Sequence, residues 1–366
     1  MSTRSRIIIL VDLDYFFAQC EEIRNPDLKK KPVVIGVYSG RTEDSGAVST
    51  ANYIARKFGV NSGLSLYLAK KRLENLDAIF LPVDYEYYKK ISDDVMLFLR
   101  SCSDIFEQVG IDEAYLDISR KVQGSFDEGF MYTNNIKNEI KNKLGLSFSA
   151  GIGPNKLIAK MAADYNKPNG ITVVKPDNVK NFLKSLPVIR IPGVGKKTAK
   201  KLNSLGINTI EQLAKYDIQK LVAFFGRTLG IYFHNVASGV SKDLVHETIE
   251  KNSISRISTL KENTRNLTLL IKKTDQLISQ VHKDLMDKKL KFKRVEIIAV
   301  MTDLSFRSKS KTLNNSTNDI NLLKKTVKKL IELFLNESKK EIRRIGIKIS
   351  KFTSNKENQK QLHIYF

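Results

Sequence analysis

Asp12 and Asp14 flank Leu13 directly after the β-branched run over residues 6–11, and Asp112-Glu113 follows Gly110 between two short apolar runs. Alternate residues of an extended strand share a face, so Asp12 and Asp14 project together. Adjacent acids at a hairpin tip escape that alternation, and Gly110 supplies the turn's conformational freedom. Such carboxylates are hard oxygen donors of the kind Mg²⁺ takes, a few at a time, together with substrate phosphates and water. Either pair alone is equally a set of solvated acids at a strand end or a turn. Chemistry requires that the fold bring the two pairs together.

The elements that must do so are legible as patterns. Residues 6–11 predict a buried strand delivering carboxylates at its end, and residues 16–23 a helix. Strands are expected at 33–37 and 78–82, a helix at 51–58 closed by Gly59, and a long amphipathic helix at 85–102. Residues 105–109 and 114–118 predict a hairpin whose tip is 110–113. This mixture implies an α+β sheet domain. After Lys167-Pro168-Asn169-Gly170 the pattern turns to short helices punctuated by Gly and Pro, through about residue 238, and a link near 239–250 follows. A second α+β unit then shows strands at 294–301 and 342–349 and helices at 267–286 and 322–335. Polar-biased stretches lie near 314–318 and 355–360, and the tail from 354 has no core pattern until 362–366.

With 366 residues the chain is long enough for two or three domains. Its formal charge is +23, and residues 251–366 hold 27 Lys and Arg against 11 Asp and Glu, so the C-terminal third is the expected face for a polyanion. Cys20 and Cys102 make neither a disulfide framework nor a metal cage, and four scattered His add no ligand cluster. The apolar run ending at Asp12 is too short for a signal core or a membrane span. A soluble, unexported protein of the reduced cytoplasm is expected, with no membrane partner.

Three blocks carry a resemblance: Val11-Asp12-Leu13-Asp14-Tyr15-Phe16-Phe17-Ala18, Ala51-Asn52-Tyr53-Ile54-Ala55-Arg56-Lys57-Phe58-Gly59 and Ile111-Asp112-Glu113-Ala114-Tyr115-Leu116-Asp117. In order and spacing they resemble the signature blocks of Y-family DNA polymerases of the DinB type. Residues 163–170, Ile191-Pro192-Gly193-Val194-Gly195 and Arg343-Arg344-Ile345-Gly346-Ile347-Lys348 extend it over nearly the whole chain. One departure is Gly110, where the family commonly has Ser before Ile-Asp-Glu; the missing hydroxyl touches a supporting contact rather than the metal ligands.

The resemblance implies a multidomain α+β right-hand polymerase. Its palm would comprise residues 1–15 and 80–172, its fingers 16–79, its helical thumb 173–238, a linker 239–250, a little finger 251–353 and a tail 354–366. It implies low-fidelity, template-directed transfer of dNTPs to a primer 3′-hydroxyl for translesion synthesis, with two Mg²⁺ ions for which Mn²⁺ can substitute. Asp12, Asp112 and Glu113 would be the metal-binding carboxylates, helped by the Leu13 carbonyl, with Asp14 supporting them. Phe16, Thr50, Tyr53, Arg56 and Lys167 would hold the triphosphate, with the Arg fork, the Lys point charge and the hydroxyls suited to it. Phe17 would be the sugar gate that clashes with a ribose 2′-hydroxyl, or else a core residue of an amphipathic helix. Val37, Ala47 and Gly63 would leave room around the templating base.

Gly193, Gly195 and Lys196 resemble the hairpin of a helix-hairpin-helix, where glycines let the backbone approach a DNA phosphate. A phosphate-binding P-loop is excluded, because Arg190 stands where its first Gly must be and Lys197 where Ser or Thr must follow. Arg343, Arg344 and Lys348 would track the DNA backbone in the basic C-terminal unit. Gln359, Leu362, Tyr365 and Phe366 fit a sliding-clamp peptide, one helical turn gathering the last three as an apolar plug. The same residues also fit a strand closing on the little finger, and the shifted register 361–365 loosely resembles a bacterial clamp peptide. A monomer working on primer-template DNA is expected, without a proofreading block. Two other classes share parts of this pattern, a silent DNA-binding scaffold and a nucleotidyl cyclase. The acids disfavour the first, and the helical hairpin and basic C-terminal unit have no use in the second.

Overall fold

Apolar residues at both odd and even positions leave Ile7, Ile8, Ile9, Leu10 and Val11 no face for water, and each is at most 3% exposed. They build the middle of a sheet covered on both sides. The computed structural model describes residues 6–247 and 252–354. The chain forms two compact units, one of Met1–Ile35, Ser49–Ser62 and Arg72–Ile249, the other of Gly36–Val48, Gly63–Lys71 and Glu250–Phe366. Residues of the expected fingers segment 16–79 thus fall in both.

The N-terminal half runs β1 (Ile8–Leu13), α1 (Phe16–Arg24), β2 (Val33–Tyr38), β3 (Gly46–Ala51), α2 (Tyr53–Arg56), α3 (Leu66–Arg72) and β4 (Ile79–Pro82). It continues with α4 (Tyr85–Ser101), β5 (Ile105–Gln108), β6 (Glu113–Asp117), α5 (Phe126–Leu144), β7 (Phe148–Gly153), α6 (Lys156–Ala163) and β8 (Ile171–Val173). Five of these strands form a sheet in the order β5-β6-β1-β7-β8, and the small sheet β3-β2-β4 stands apart. The helix expected at 51–58 is instead the end of β3 followed by a single turn. Asn52 explains the break: its side chain caps α2 by accepting from the Ala55 N–H at 3.1 Å and also accepts from the Val33 N–H at 3.1 Å. A buried Asn committed to both bonds fixes where the helix starts.

One face of the five-stranded sheet carries Ile9, Val11, Leu116, Phe148 and Ile152 into the main core. The other carries Ile8 and Leu10, which meet Ala159 and Ala163 of α6. That approach requires glycine: a Cβ on Gly151 would collide with the main chain of Ala159 and Ala163, and one on Gly153 would lie 2.9 Å from the Ala159 nitrogen. Thus α6 rests directly on the strands beside the acids.

Past β8 come α7 (Val179–Lys184), α8 (Lys196–Ser204), α9 (Ile210–Lys215) and α10 (Ile218–Ala237). Their shared core takes in Ile158 and Met161 of α6. Only α10 is long, and Gly226, at φ 80°, interrupts it.

The C-terminal part of the second unit runs β9 (Ser253–Thr264), α11 (Leu267–Asp287), β10 (Leu290–Met301), β11 (Phe306–Thr317), α12 (Ile320–Glu337), β12 (Ile342–Ser350) and the short β13 (Thr353–Ser354). The sheet order is β11-β10-β12-β9. Residues 314–317, expected only as a polar stretch, are the end of β11, and β9 was likewise not expected. Both are edge strands with Ser, Thr, Lys and Arg in place of apolar alternation, a composition that discourages edge-to-edge pairing. Among the described residues no helix is long and apolar enough to cross a membrane.

Candidate active site

The central strand places the first acid. Asp12 of β1 stands opposite Glu113 of β6 on one side and Ser149 of β7 on the other. The Leu13 N–H donates to the Asp112 carbonyl at 2.9 Å, so the hairpin tip is stitched to β1 where that strand ends. The N–H groups of Val109 and Gly110 both donate to the Glu113 carbonyl, closing the tip. Asp12, Asp112 and Glu113 therefore meet at one edge. The side chain of Leu13 is buried, leaving only its main chain to offer.

Asp14 has a different part. It is 1% exposed and accepts from Ser149 Oγ at 2.7 Å, Ser147 Oγ at 3.3 Å and the Asn169 N–H at 2.9 Å. Burial raises its pKa, opposed by the bonds from Ser149 and Asn169. Through that last bond Asp14 ties the Lys167-Pro168-Asn169 loop to the acid strand. Lys167 Nζ consequently lies 2.8 Å from Asp12 Oδ1.

A second lysine, absent from the sequence-level candidates, enters from α6. Lys160 Nζ lies 3.3 Å from Asp12 Oδ2 and 3.0 Å from Glu113 Oε2. Burial and the neighbouring Asp12 charge raise the pKa of Asp112, and burial raises that of Glu113 against the pull of Lys160. Burial draws both lysines down, but Asp12, with Glu113 for Lys160, lifts them above the ordinary value. Among the described residues no group of three or more His, Cys, Asp or Glu is gathered as a metal cage. The donor set nonetheless fits a divalent cation: three hard carboxylates, two of them disfavoured as anions by burial, with ammonium groups standing where positive charge is required.

Tyr53 and Arg56 share the single turn α2. The Arg56 guanidinium lies 4.8 Å from the Tyr53 ring centroid, its Nε donating to the Ala51 carbonyl at 2.8 Å, and Tyr53 meets Tyr15 edge-on at 5.3 Å. Burial first, then Asp14, raises the Tyr53 pKa, while Arg56 and Lys167 lower it, so these groups share one field. Thr50 is half-buried on β3. Phe16 is 2% exposed with its ring in the main core, so a nucleotide contact at this position would be made by its main chain, in the first turn of α1. Phe17 is half-buried, stacked on Tyr88 at 4.5 Å and edge-on to Tyr85 at 6.0 Å. Tyr88 is fully buried and bonded to Glu21 at 2.8 Å, so Phe17 rests on a fixed platform.

Gly193, at φ 81°, and Gly195, the N-cap of α8, are exposed, and nothing lies within 4 Å of a Cβ on either. Lys196 opens the helix, and buried Val194 anchors the turn. In the second unit Val37 and Ala47 are exposed, and Gly63 has φ 85° in open space. Arg344 and Lys348 alternate with the buried Ile345, Ile347 and Ile349 of β12, so they occupy the face away from that core. Arg343 sits at a register shift. Lys348 Nζ lies 3.7 Å from Glu296, which partly offsets its charge. Gln359, Leu362, Tyr365 and Phe366 lie outside the described residues.

Comparison with known proteins covers almost the whole chain. The impB/mucB/samB family matches residues 11–164, its C-terminal domain residues 251–364, and the helix-hairpin-helix motif of the IMS family residues 176–207. A DNA polymerase IV of Nitrosopumilus maritimus is 43% identical over 363 residues, 99% of this chain and 100% of its own. One from Saccharolobus solfataricus is 41% identical over 346 residues, 94% and 96% respectively. Among solved structures, a Y-family polymerase chimera of Dbh and Dpo4 superposes with a TM-score of 0.90 at 36% identity, covering 95% of this chain and 100% of its own. The crystal structure of DinB from Sulfolobus solfataricus gives 0.66 at 35% identity over the same shares. The family match spans both acid blocks and the identity runs end to end, so the chain belongs to the Y-family DNA polymerases of the DinB type, DNA-directed DNA polymerases of translesion synthesis.

Proposed function

We propose that Asp12, Asp112 and Glu113, with the Leu13 carbonyl, hold the catalytic Mg²⁺ ions, and that Mn²⁺ can replace them. The observation that carries this is the direct pairing of Asp12 with Glu113 on adjacent central strands, with Asp112 stitched to Leu13. Metal dependence itself comes with the family. Bound there, Mg²⁺ supplies Lewis-acid stabilisation of phosphate charge and makes the attacking hydroxyl more acidic. The reaction joins the primer 3′-oxygen to the α-phosphorus of a dNTP, breaks the bridging bond to the β-phosphate and releases pyrophosphate.

The protein's own groups orient that exchange. Arg56 and Tyr53, stacked together, and Lys167 bind the triphosphate; Thr50 adds a hydroxyl and Phe16 its main chain. Lys167 reaches Asp12 on a flexible stem and can exchange that carboxylate for phosphate. Phe17, supported by Tyr88, excludes the 2′-hydroxyl, and Val37, Ala47 and Gly63 leave a damaged template base room. Gly193, Gly195, Lys196, Arg343, Arg344 and Lys348 bind the DNA backbone without reading sequence. In this reading the palm, fingers, thumb, linker and little finger divide at the boundaries expected from the sequence, and a cytoplasmic monomer works on primer-template DNA.

Running-start primer extension across an abasic site, with and without Mg²⁺, tests the reading. Metal-dependent insertion and extension past the lesion are expected. Undiminished synthesis in chelator would overturn the metal assignment. The tail peptide is proposed to bind a sliding clamp: Tyr365→Ala with Phe366→Ala should abolish clamp-stimulated synthesis while leaving clamp-free extension and the melting temperature unchanged. Retained stimulation with a lowered melting temperature would favour a packed strand.

A further inference from the structure

Asp12 and Glu113 face each other across adjacent strands, where like charges repel. What offsets them here is Lys160, within 3.3 Å of one and 3.0 Å of the other. Its helix cannot withdraw, because Gly151 and Gly153 seat α6 against β7 and Asn155 caps its first turn by accepting from the Ile158 N–H at 3.0 Å. Only the side chain is free to move. One turn further along, at the C-cap of α6, Asp164 Oδ2 lies 4.0 Å from Lys160 Nζ. Asp164 is also 3.2 Å from Lys167, so it is an acceptor shared by both lysines that bracket Asp12.

We propose that Lys160 is a positioning residue that holds the carboxylates together before metal arrives and yields its place to the cation by turning toward Asp164. This rests on Asp12, Asp112 and Glu113 being the metal ligands. No bond is made or broken; one ammonium ion pair is exchanged for another as the divalent cation enters. The arrangement keeps the acid edge assembled while the enzyme is between substrates, at the cost of a weaker grip on metal.

The consequence is a pair of opposite effects from α6 and its C-cap. Lys160→Met removes the competitor, so the full-length protein without DNA or nucleotide should bind Mn²⁺ more tightly, by roughly tenfold, about 1.4 kcal/mol. Its metal-free melting temperature should fall, and saturating Mn²⁺ should restore it. Lys160→Arg keeps the charge and should keep the parent's affinity. Asp164→Asn removes the charge of the alternative ion-pair partner and should weaken Mn²⁺ binding severalfold, leaving the metal-free melting temperature near that of the parent. Free Mn²⁺ counted by electron paramagnetic resonance reads all four proteins without reference to activity. A merely structural lysine would not move the two affinities in opposite directions. Unchanged or weaker binding by Lys160→Met would overturn the proposal, as would unchanged binding by Asp164→Asn. Asp112→Asn in the parent is the control that separates the two levels: if it leaves Mn²⁺ binding intact, the ligand assignment itself has failed.

Discussion

The two large sheets use their faces in opposite ways. In the first unit β1 has a strand on each side, the main core beneath and α6 above, so Asp12 is fixed from every direction. In the second unit, α11 and α12 cover one face of a four-stranded sheet, and Arg344 and Lys348 stand on the other. The covering of each sheet matches the work proposed for it. A few groups that must meet at angstrom precision sit where the interior determines them; charges that track a polyanion act by number and tolerate freedom. If the contrast is sound, substitutions in the first sheet should change turnover by large factors at unchanged affinity, and substitutions in the second should do the reverse.

The largest effect is expected at the hairpin tip. Glu113→Ala or Asp112→Ala removes a carboxylate from a position that no buried apolar packing depends on, so the fold should survive. Single-turnover extension should fall by several orders of magnitude with primer-template affinity nearly unchanged. Near-normal turnover in Glu113→Ala would show that the first sheet is not where the chemistry lies. Next comes Phe17, whose proposed role is to discriminate between substrates that the acids treat alike. Phe17→Ala should raise ribonucleotide insertion relative to deoxynucleotide insertion by roughly a hundredfold, the scale on which a pocket rejects a misfit. An unchanged ratio would return Phe17, with Tyr88, to the core as ordinary packing.

In the second sheet the effects should be smaller and should depend on salt. Arg344→Ala and Lys348→Ala should each weaken DNA binding equally across sequences, reducing the slope of log affinity against log salt by about 0.9 for each phosphate that is no longer neutralised. Lys348 already faces Glu296 at 3.7 Å, so Arg344 should contribute more. Once DNA is saturating, turnover should be unchanged. A turnover defect at saturation would mean that this sheet also positions reacting groups, and the division between the two sheets would collapse.

How far the sequence disclosed this arrangement depended on how each residue earns its place. The run 7–11 announced β1 because a strand covered on both faces has no alternation to hide it, and the hairpin around Asp112-Glu113 carried its own turn signal. By contrast β9, β11 and β3 are edge strands of Ser, Thr, Lys and small residues, and local pattern separates them poorly from loops. Lys160 was invisible for another reason. Four residues beyond Lys156 and four before Asp164, it looks like part of a solvated helix face; only the approach of α6 over Gly151 and Gly153 turns that face onto the acids. The two glycines were the available signal, since closely spaced Gly in a buried strand marks a close backbone approach. Phe16 and Phe17 look alike in the sequence; only the fold puts the Phe16 ring in the core and leaves Phe17 half-buried on Tyr88.

The smallest effect is expected at the position where the chain departs from its family. A Cβ at Gly110 would stand 3.2 Å from Asp112 Oδ1 and 3.6 Å from Glu113 Cβ, and the backbone there is not in the left-handed region. Serine is therefore accessible, with a slight adjustment of the Asp112 carboxylate. Its hydroxyl would lie within reach of that carboxylate as a donor. Such a bond favours the ionised form and would oppose the rise in the Asp112 pKa that burial produces. It would leave the proposed ligand set of three carboxylates and the Leu13 carbonyl unchanged. Gly110→Ser should consequently change turnover by less than about threefold at neutral pH, because it leaves all the proposed ligands in place. The gain should appear on the acidic side: in the metal-free fold Asp112 holds its proton to higher pH than an ordinary aspartate, so metal uptake, and activity with it at limiting metal, is lost early as pH falls, and the new donor should shift that loss to lower pH. A pH–rate profile that shifts in this direction assigns the limb to Asp112 and so to the sheet covered on both faces. A profile that does not move would place the controlling ionisation elsewhere, with Glu113 beside Lys160 as the next group to test.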